Sequence, residues 1–142
     1  MSYKAASNMT PIFCLLHLTS DATLAIGDPV PFVVESGSSG HSVTTSAGVV
    51  TLPTGYQWFC QAQILPTSII NIDFDWYVGG SASATFAQTG VTLLSDVTKG
   101  SNSVGHAYID ASGSSQDVEL RASAAGTVDS DITWLMLTGY PS

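Results

Sequence analysis

Charged residues are scarce in this sequence, and basic residues are the scarcest. Lys4, Lys99 and Arg121 face 11 acidic residues in a chain of 142, giving a formal net charge of −8. Because nucleic acids and anionic membranes are bound by clusters of Lys and Arg, we expect neither as a partner. Charged residues make up 10% of the chain, against about 25% in ordinary globular domains. An oligomer or larger particle is therefore expected to cover part of the surface, with a coat of Ser, Thr and Gly as the alternative.

Cysteines and long apolar stretches are also few. Cys14 and Cys60 are the only cysteines, and we interpret them as buried free thiols, with a disulfide as the alternative if their strands are neighbours. Residues 11–18 form the longest apolar stretch, which is interrupted by His17 and is too short to span a bilayer. The first residues lack the basic start and apolar core of a signal peptide, so we expect no secretory targeting.

What the sequence does contain is apolar residues that alternate with polar ones. Within 56–64, one predicted face carries Tyr56, Trp58, Cys60, Ala62 and Ile64, and the other carries three glutamines and Phe59. Residues 70–78 repeat the pattern, with Asp73 and Asp75 on the polar face. Such alternation is typical of half-buried antiparallel strands. With Gly, Pro, Asn and Ser between the stretches, it predicts an all-β sandwich or barrel without helices.

The length predicts one domain. Residues 1–10 are small, polar and without an apolar period. We therefore predict a short N-terminal arm over 1–10 and a β-sandwich domain over 11–142.

The residues favour a non-enzymatic protein. His17, His41 and His106 are scattered, and the sequence has no nucleophile elbow and no glycine-rich phosphate loop. Asp73 and Asp75 project from the same face of a predicted strand, roughly 7 Å apart. We interpret them as solvated side chains, with a weak Ca²⁺ site as one alternative and a catalytic carboxylate pair as the remotest. No cofactor is predicted to be required.

The tryptophans are the strongest candidates for contact residues. Trp58, Trp76 and Trp134 each lie on the regular apolar face of a predicted strand. That position favours the core or a subunit interface over a carbohydrate platform.

The order of several segments resembles a known family. Residues 29–32 read PVPF, residues 47–56 read AGVVTLPTGY and lead into the aromatic strand, and QDVELR at 116–121 precedes a final ITWLMLTGY at 132–140. This order is similar to the jelly roll of the tumour-necrosis-factor and complement globular-head superfamily. The resemblance implies an antiparallel jelly-roll sandwich that forms a homotrimer through an apolar, aromatic face. We predict Phe74, Trp76 and Trp134 as the contacts of that trimer.

A short, acidic chain rich in Ser, Thr and Gly also resembles a phage capsid decoration (cement) protein. That resemblance implies a structural role on the outside of the virion, after synthesis in the host cytoplasm, with the major capsid protein as partner. Tyr3, Lys4 and Met9 of the arm are the expected capsid-binding residues, because they suit a segment that becomes ordered on docking. A receptor- or glycan-binding head of a phage fibre is the alternative function.

Overall fold

The regular structure consists of β-strands. The computed structural model describes residues 10–35, 42–67, 74–82 and 103–142. Its strands are β1 (Ile12–His17), β2 (Ala22–Leu24), β3 (Val33–Val34), β4 (Thr44–Ser46), β5 (Val49–Leu52), β6 (Tyr56–Ile64), β7 (Phe74–Val78), β8 (Ser81–Ala82), β9 (Ser103–Ala111), β10 (Gln116–Ala122), β11 (Gly126–Val128) and β12 (Trp134–Pro141). Within these ranges no helix is long and apolar enough to cross a membrane.

Two five-stranded antiparallel sheets form the sandwich. The first has the order β3-β1-β12-β6-β9 and the second the order β4-β5-β10-β7-β8, while β2 and β11 pair as a small third sheet. The predicted antiparallel sandwich is thus confirmed. The predicted arm lies, except for Thr10, outside the described residues.

β6 is an interior strand of the first sheet, and its side chains alternate between buried and half-buried. Trp58, Cys60, Ala62 and Ile64 are buried, whereas the intervening side chains are half-buried. β12 pairs with β6 from Trp134↔Gln63 to Pro141↔Tyr56, and β9 pairs along the other side of β6. An apolar side chain at every second position is therefore directed into the core between the sheets.

The largest core side chain, Trp58, depends on a glycine. A Cβ atom placed on Gly139 would lie 2.8 Å from the Trp58 ring. The indole Nε1 donates a hydrogen bond to the carbonyl oxygen of Pro53 at 3.2 Å. Gly139 thus provides the space in which the ring packs against β12.

A tight turn joins β4 to β5 and packs against the neighbouring segment. Ala47 and Gly48 both have positive φ angles, 49° and 85°, as a two-residue hairpin turn of this type requires. A Cβ on Gly48 would approach the Cβ of Pro29 to 2.8 Å. This position therefore accepts only glycine, and the turn is held closely against Pro29.

The two cysteines are separated by one strand. Cys14 on β1 and Cys60 on β6 both lie opposite Leu137 of the intervening β12. Two strand spacings amount to about 9–10 Å, which is longer than the roughly 7 Å between Cα atoms that a disulfide can bridge. Both are free and buried, as predicted. Burial raises the pKa of the Cys14 thiol to about 11 and raises that of Cys60 as well.

Candidate functional site

Exposed apolar side chains are concentrated on the outer surface of the first sheet. Seven large hydrophobic side chains are exposed among the described residues, and five of them lie on this surface. These five are Phe13, Leu15, Tyr108, Met136 and Tyr140. Isolated apolar side chains are ordinary on protein surfaces, but a contiguous group marks a site of interaction.

The strand register makes the group contiguous. Phe13 lies opposite Thr138, which lies opposite Phe59 of β6. Phe59 in turn lies opposite Tyr108 of β9. The next row across the same four strands consists of Leu15, Met136, Gln61 and His106. Directly opposite residues share one face of a sheet, so the two rows form a single surface.

Ring contacts hold the β6–β9 side of this surface in place. The Phe59 and Tyr108 ring centroids are 4.8 Å apart with planes at 30°, and the Phe59 and His106 centroids are 5.5 Å apart with planes at 4°. The Gln61 Nε2 lies 3.2 Å from the His106 Nε2, a distance that suits an amide N–H donating to the imidazole. The side chains are therefore already ordered, which lowers the entropic cost of binding a partner.

We call this surface the aromatic face. Its members are Phe13, Leu15, Phe59, His106, Tyr108, Met136 and Tyr140. Charged side chains lie at its two ends. At one end, His17 contacts Glu35. At the other end, Asp110 lies in the row of Gln57 and Tyr140. Hydrogen bonds from Ser112 lower the pKa of Asp110. The rows between consist of apolar, amide, hydroxyl and imidazole side chains, an arrangement typical of the centre of a protein interface.

Two of the three predicted trimer contacts lie elsewhere. Phe74 and Trp76 are 0% and 1% exposed, because their side of β7 is directed into the core of their own chain. They have no surface to offer a second copy, and their assignment as direct contacts is corrected accordingly. Trp134 is half-buried and lies opposite His17 and Gln63, in the row next to Leu15 and Met136, at the border of the aromatic face.

Of the other predicted site residues, most lie outside the part of the chain that the structure describes. Tyr3, Lys4 and Met9, predicted to bind a capsid, and Asp73 of the weak Ca²⁺ candidate lie outside the described residues. Asp75 lies opposite Arg121 in the β7–β10 register. Among the described residues, no group of three or more His, Cys, Asp or Glu is placed to hold a metal ion.

Arg121 is the centre of a polar cluster on the second sheet. Its guanidinium donates to both carboxylate oxygens of Glu119, at 2.9 and 3.2 Å, and lies 4.1 Å from the centroid of the Tyr77 ring. These contacts raise the pKa of Arg121, mainly through the hydrogen bonds to Glu119. Arg121 is the one Lys or Arg side chain among the described residues, and all of these contacts are within its own chain.

A pocket of about 380 Å³ opens at the edge of the sandwich. Three segments line it: the β1–β2 loop, the residues leading into β3, and the β4–β5 hairpin. Its lining residues are Leu18, Thr19, Ser20, Asp21, Ala22, Pro31, Phe32, Val33, Thr45, Ala47 and Gly48. The Oδ1 atom of Asp21 accepts hydrogen bonds from the Ser130 backbone N at 2.8 Å and the Ser130 hydroxyl at 2.9 Å.

Comparison with known proteins bears on the fold. The sequence matches no protein-family model and no curated protein. Two solved structures of murine APRIL, at pH 8.0 and pH 5.0, superpose with TM-scores of 0.62 and 0.63 at 9% and 7% identity. In both cases the match covers 92% of this chain and 99% of that chain. The fold is a tumour-necrosis-factor-like jelly roll. The family resemblance read from the sequence is thereby confirmed at the level of fold.

A carbohydrate-binding module is also similar. The CBM35 domain of Cellvibrio japonicus Abf62 matches 92% of this chain and 98% of that chain, at 11% identity and a TM-score of 0.46.

Sequence reasoning missed the aromatic face and the pocket. The presence of Phe59 among glutamines on the polar side of β6 was a usable signal for the face. The pocket had none, because its three lining segments are distant from one another in sequence.

Proposed function

We propose that this chain is a structural, non-catalytic protein that forms a homotrimer through its aromatic face and, as a trimer, decorates the outer surface of a viral capsid. The observation that carries the proposal is the contiguous apolar surface on one side of the first sheet. The low fraction of charged residues supports it, because a chain with few charges gains solubility when a partner covers part of its surface. The tumour-necrosis-factor-like fold supports it as well, because the family resemblance implies a trimer.

The proposed partners are two further copies of the chain and the major capsid protein. A trimer that binds the assembled shell adds buried surface in that state alone. By linkage it therefore stabilises the shell by its binding free energy. Three identical attachment sites also give avidity, so each one alone can be weak. On this proposal the protein is made in the host cytoplasm and ends on the capsid exterior.

Attachment is assigned to the N-terminal arm, with Tyr3, Lys4 and Met9 as contacts. Lys4 is one of three basic residues in an acidic chain, so it is a natural partner for a carboxylate on the shell. The aromatic face is then free to serve assembly of the trimer alone.

Co-sedimentation with purified capsids tests the proposal. The full chain should sediment with capsids from its own source. A variant without residues 1–9 should keep its oligomeric mass and melting temperature and lose most of its capsid occupancy. Equal occupancy of the two would overturn the role of the arm, and absence of binding by both would overturn capsid decoration.

A receptor- or glycan-binding fibre head is the second candidate, and the pocket at the sandwich edge favours it. The two functions share the trimer and differ in the molecule that the trimer binds. Binding of the full chain to host-cell glycans, without binding to capsids, would select the second candidate.

A further inference from the structure

The pocket at the sandwich edge has the chemistry of a sugar site. From its geometry and lining we propose that it binds a neutral sugar, one monosaccharide unit free or at the end of a glycan. The proposal concerns a site within a single chain, so it depends neither on the trimer nor on capsid attachment.

Hydrogen-bonding groups are concentrated on the rim. Thr19, Ser20 and Asp21 are exposed on the β1–β2 loop, and Thr45 is half-buried on the hairpin across the opening. Hydroxyl groups both donate and accept hydrogen bonds, while an ionised carboxylate accepts strongly. A sugar presents adjacent hydroxyls that both donate and accept, and these match a rim of this composition.

The inner part of the pocket is apolar. Pro31, Val33 and Ala47 line it with exposed or half-buried apolar side chains, above the buried side chains of Leu18 and Phe32. A pyranose ring carries C–H groups on its faces, which suit an apolar surface of this kind. The volume of about 380 Å³ is near the lower end of the roughly 300–1,000 Å³ of small-molecule sites. A ligand of about one sugar ring therefore fits better than an extended chain.

Charge restricts the ligand further. Among the described lining residues, the one ionisable group is the carboxylate of Asp21, and the whole chain carries a net charge of −8. Phosphorylated, sulfated or carboxylated sugars would be repelled, because none of the lining residues that the structure describes supplies a compensating positive charge. A metal ion is also disfavoured, because the described lining offers one carboxylate and no cluster of ionisable metal ligands.

Both walls of the pocket are fixed before any ligand arrives. On one side, two hydrogen bonds from Ser130 hold the Asp21 carboxylate, and its Oδ1 atom accepts both of them. The proposed sugar hydroxyl would donate to the Oδ2 atom of the same carboxylate. On the other side, the close approach of Gly48 to Pro29 fixes the hairpin turn. A pocket fixed in this way avoids most of the entropic cost of ordering its own groups.

Amide chemical shifts in a ¹⁵N-labelled sample test the proposal. The full chain is titrated separately with glucose, galactose, mannose, fucose and N-acetylglucosamine, and with N-acetylneuraminic acid as the anionic comparison. We expect at least one neutral sugar to shift the amides of residues 19–22 and 45–48 with millimolar affinity. The anionic sugar should leave these amides unchanged. No shift there with any of the five neutral sugars, or an equal shift with N-acetylneuraminic acid, would overturn the proposal.

Two neighbouring threonines provide matched variants. Thr45→Trp fills the pocket and should lower the affinity by about tenfold or more. Thr44→Trp adds the same side chain to the adjacent, exposed position on the opposite face of β4 and should bind as the wild type does. Unchanged binding by Thr45→Trp, or equal loss in both variants, would contradict the assigned site.

A second variant is independent of packing. The double substitution Thr19→Ala and Ser20→Ala removes two exposed rim hydroxyls, so its fold should be unaffected and its affinity lower. If Thr45→Trp does not fold, this double variant decides the question, and unchanged binding by it would overturn the proposal. The titration is then repeated with a variant that is made monomeric by substitutions in the aromatic face. This monomer should still bind the sugar, because the pocket lies within a single chain.

Discussion

Replacing Phe13 and Tyr108 by serine should dissociate the trimer. The two side chains are 56% and 59% exposed in the single chain, and an aromatic side chain buries about 150–250 Å² in full. Each therefore has on the order of 100 Å² left to bury against a partner. At about 25 cal/mol per Å², that surface contributes about 2.5 kcal/mol per side chain. The double substitution then removes about 5 kcal/mol from each contact, which corresponds to a loss of more than about 1,000-fold in affinity.

Light scattering after size-exclusion chromatography measures the outcome. At micromolar concentration the wild type should have about three times the chain mass of 14.7 kDa, and the double variant should have the mass of one chain. Both positions are exposed on the sheet, so the separated monomer should remain folded. Its melting temperature should lie below that of the wild-type trimer, because assembly stabilises the folded chain.

Ile26→Ser is the matched control. Among the described residues, Ile26 has the most exposed large apolar side chain, at 73%, but it lies in the turn after β2 and outside the aromatic face. This variant should remain a trimer. A wild-type mass of 14.7 kDa, a double variant that stays trimeric, or equal dissociation of the Ile26 variant would refute the assignment of the face.

Three further predictions concern the single chain. Gly139→Ala should lower the free energy of unfolding by about 1–3 kcal/mol, because its methyl group meets the buried Trp58 ring. Its control is Gly113→Ala, which adds a methyl group in open space and should leave the denaturation midpoint unchanged. Hydrogen bonds from Ser130 lower the pKa of Asp21, so its contribution to stability is present above the unfolded pKa of about 3.9 and is lost as the pH falls through the lower folded pKa. The difference in melting temperature between wild type and Asp21→Ala should therefore be larger at pH 7 than at pH 2, and an equal difference at both would contradict this. The two buried cysteines should not react with a thiol reagent at pH 8 in the folded protein and should both react after unfolding in urea; rapid reaction of the native protein would contradict their burial.

The sequence predicted the strands well where one face is polar. In β6 the glutamines mark the outer side, so the burial of Trp58 and Cys60 follows directly from the period of two. In β12 both faces are largely apolar. The sequence therefore did not reveal that Leu135 and Leu137 enter the core while Trp134 and Met136 face outward.

Periodicity also does not specify what an apolar face is buried against. The predicted face of Phe74 and Trp76 is apolar as expected, yet it is buried in the core between the two sheets of the same chain. The pattern is the same for a core and for a subunit interface, and the difference arises from the arrangement of the two sheets. The pocket could not be predicted from the sequence for a related reason. Asp21 and Thr45 come to line the same pocket only through the topology of the strands.

The position of β12 has a consequence for the order of events during synthesis. Its strand lies between β1 and β6, and its residue Gly139 pairs with Ile12, more than a hundred residues earlier. On the ribosome, β1 can pair early only with the two residues of β3, and it must wait for most of the chain before β12 emerges. Contacts between residues so distant in sequence slow folding. Until they form, the apolar residues of β1 are exposed and prone to aggregation. Pairing of β1 with β12 is therefore expected to be a late step in folding, and one that chaperones would protect.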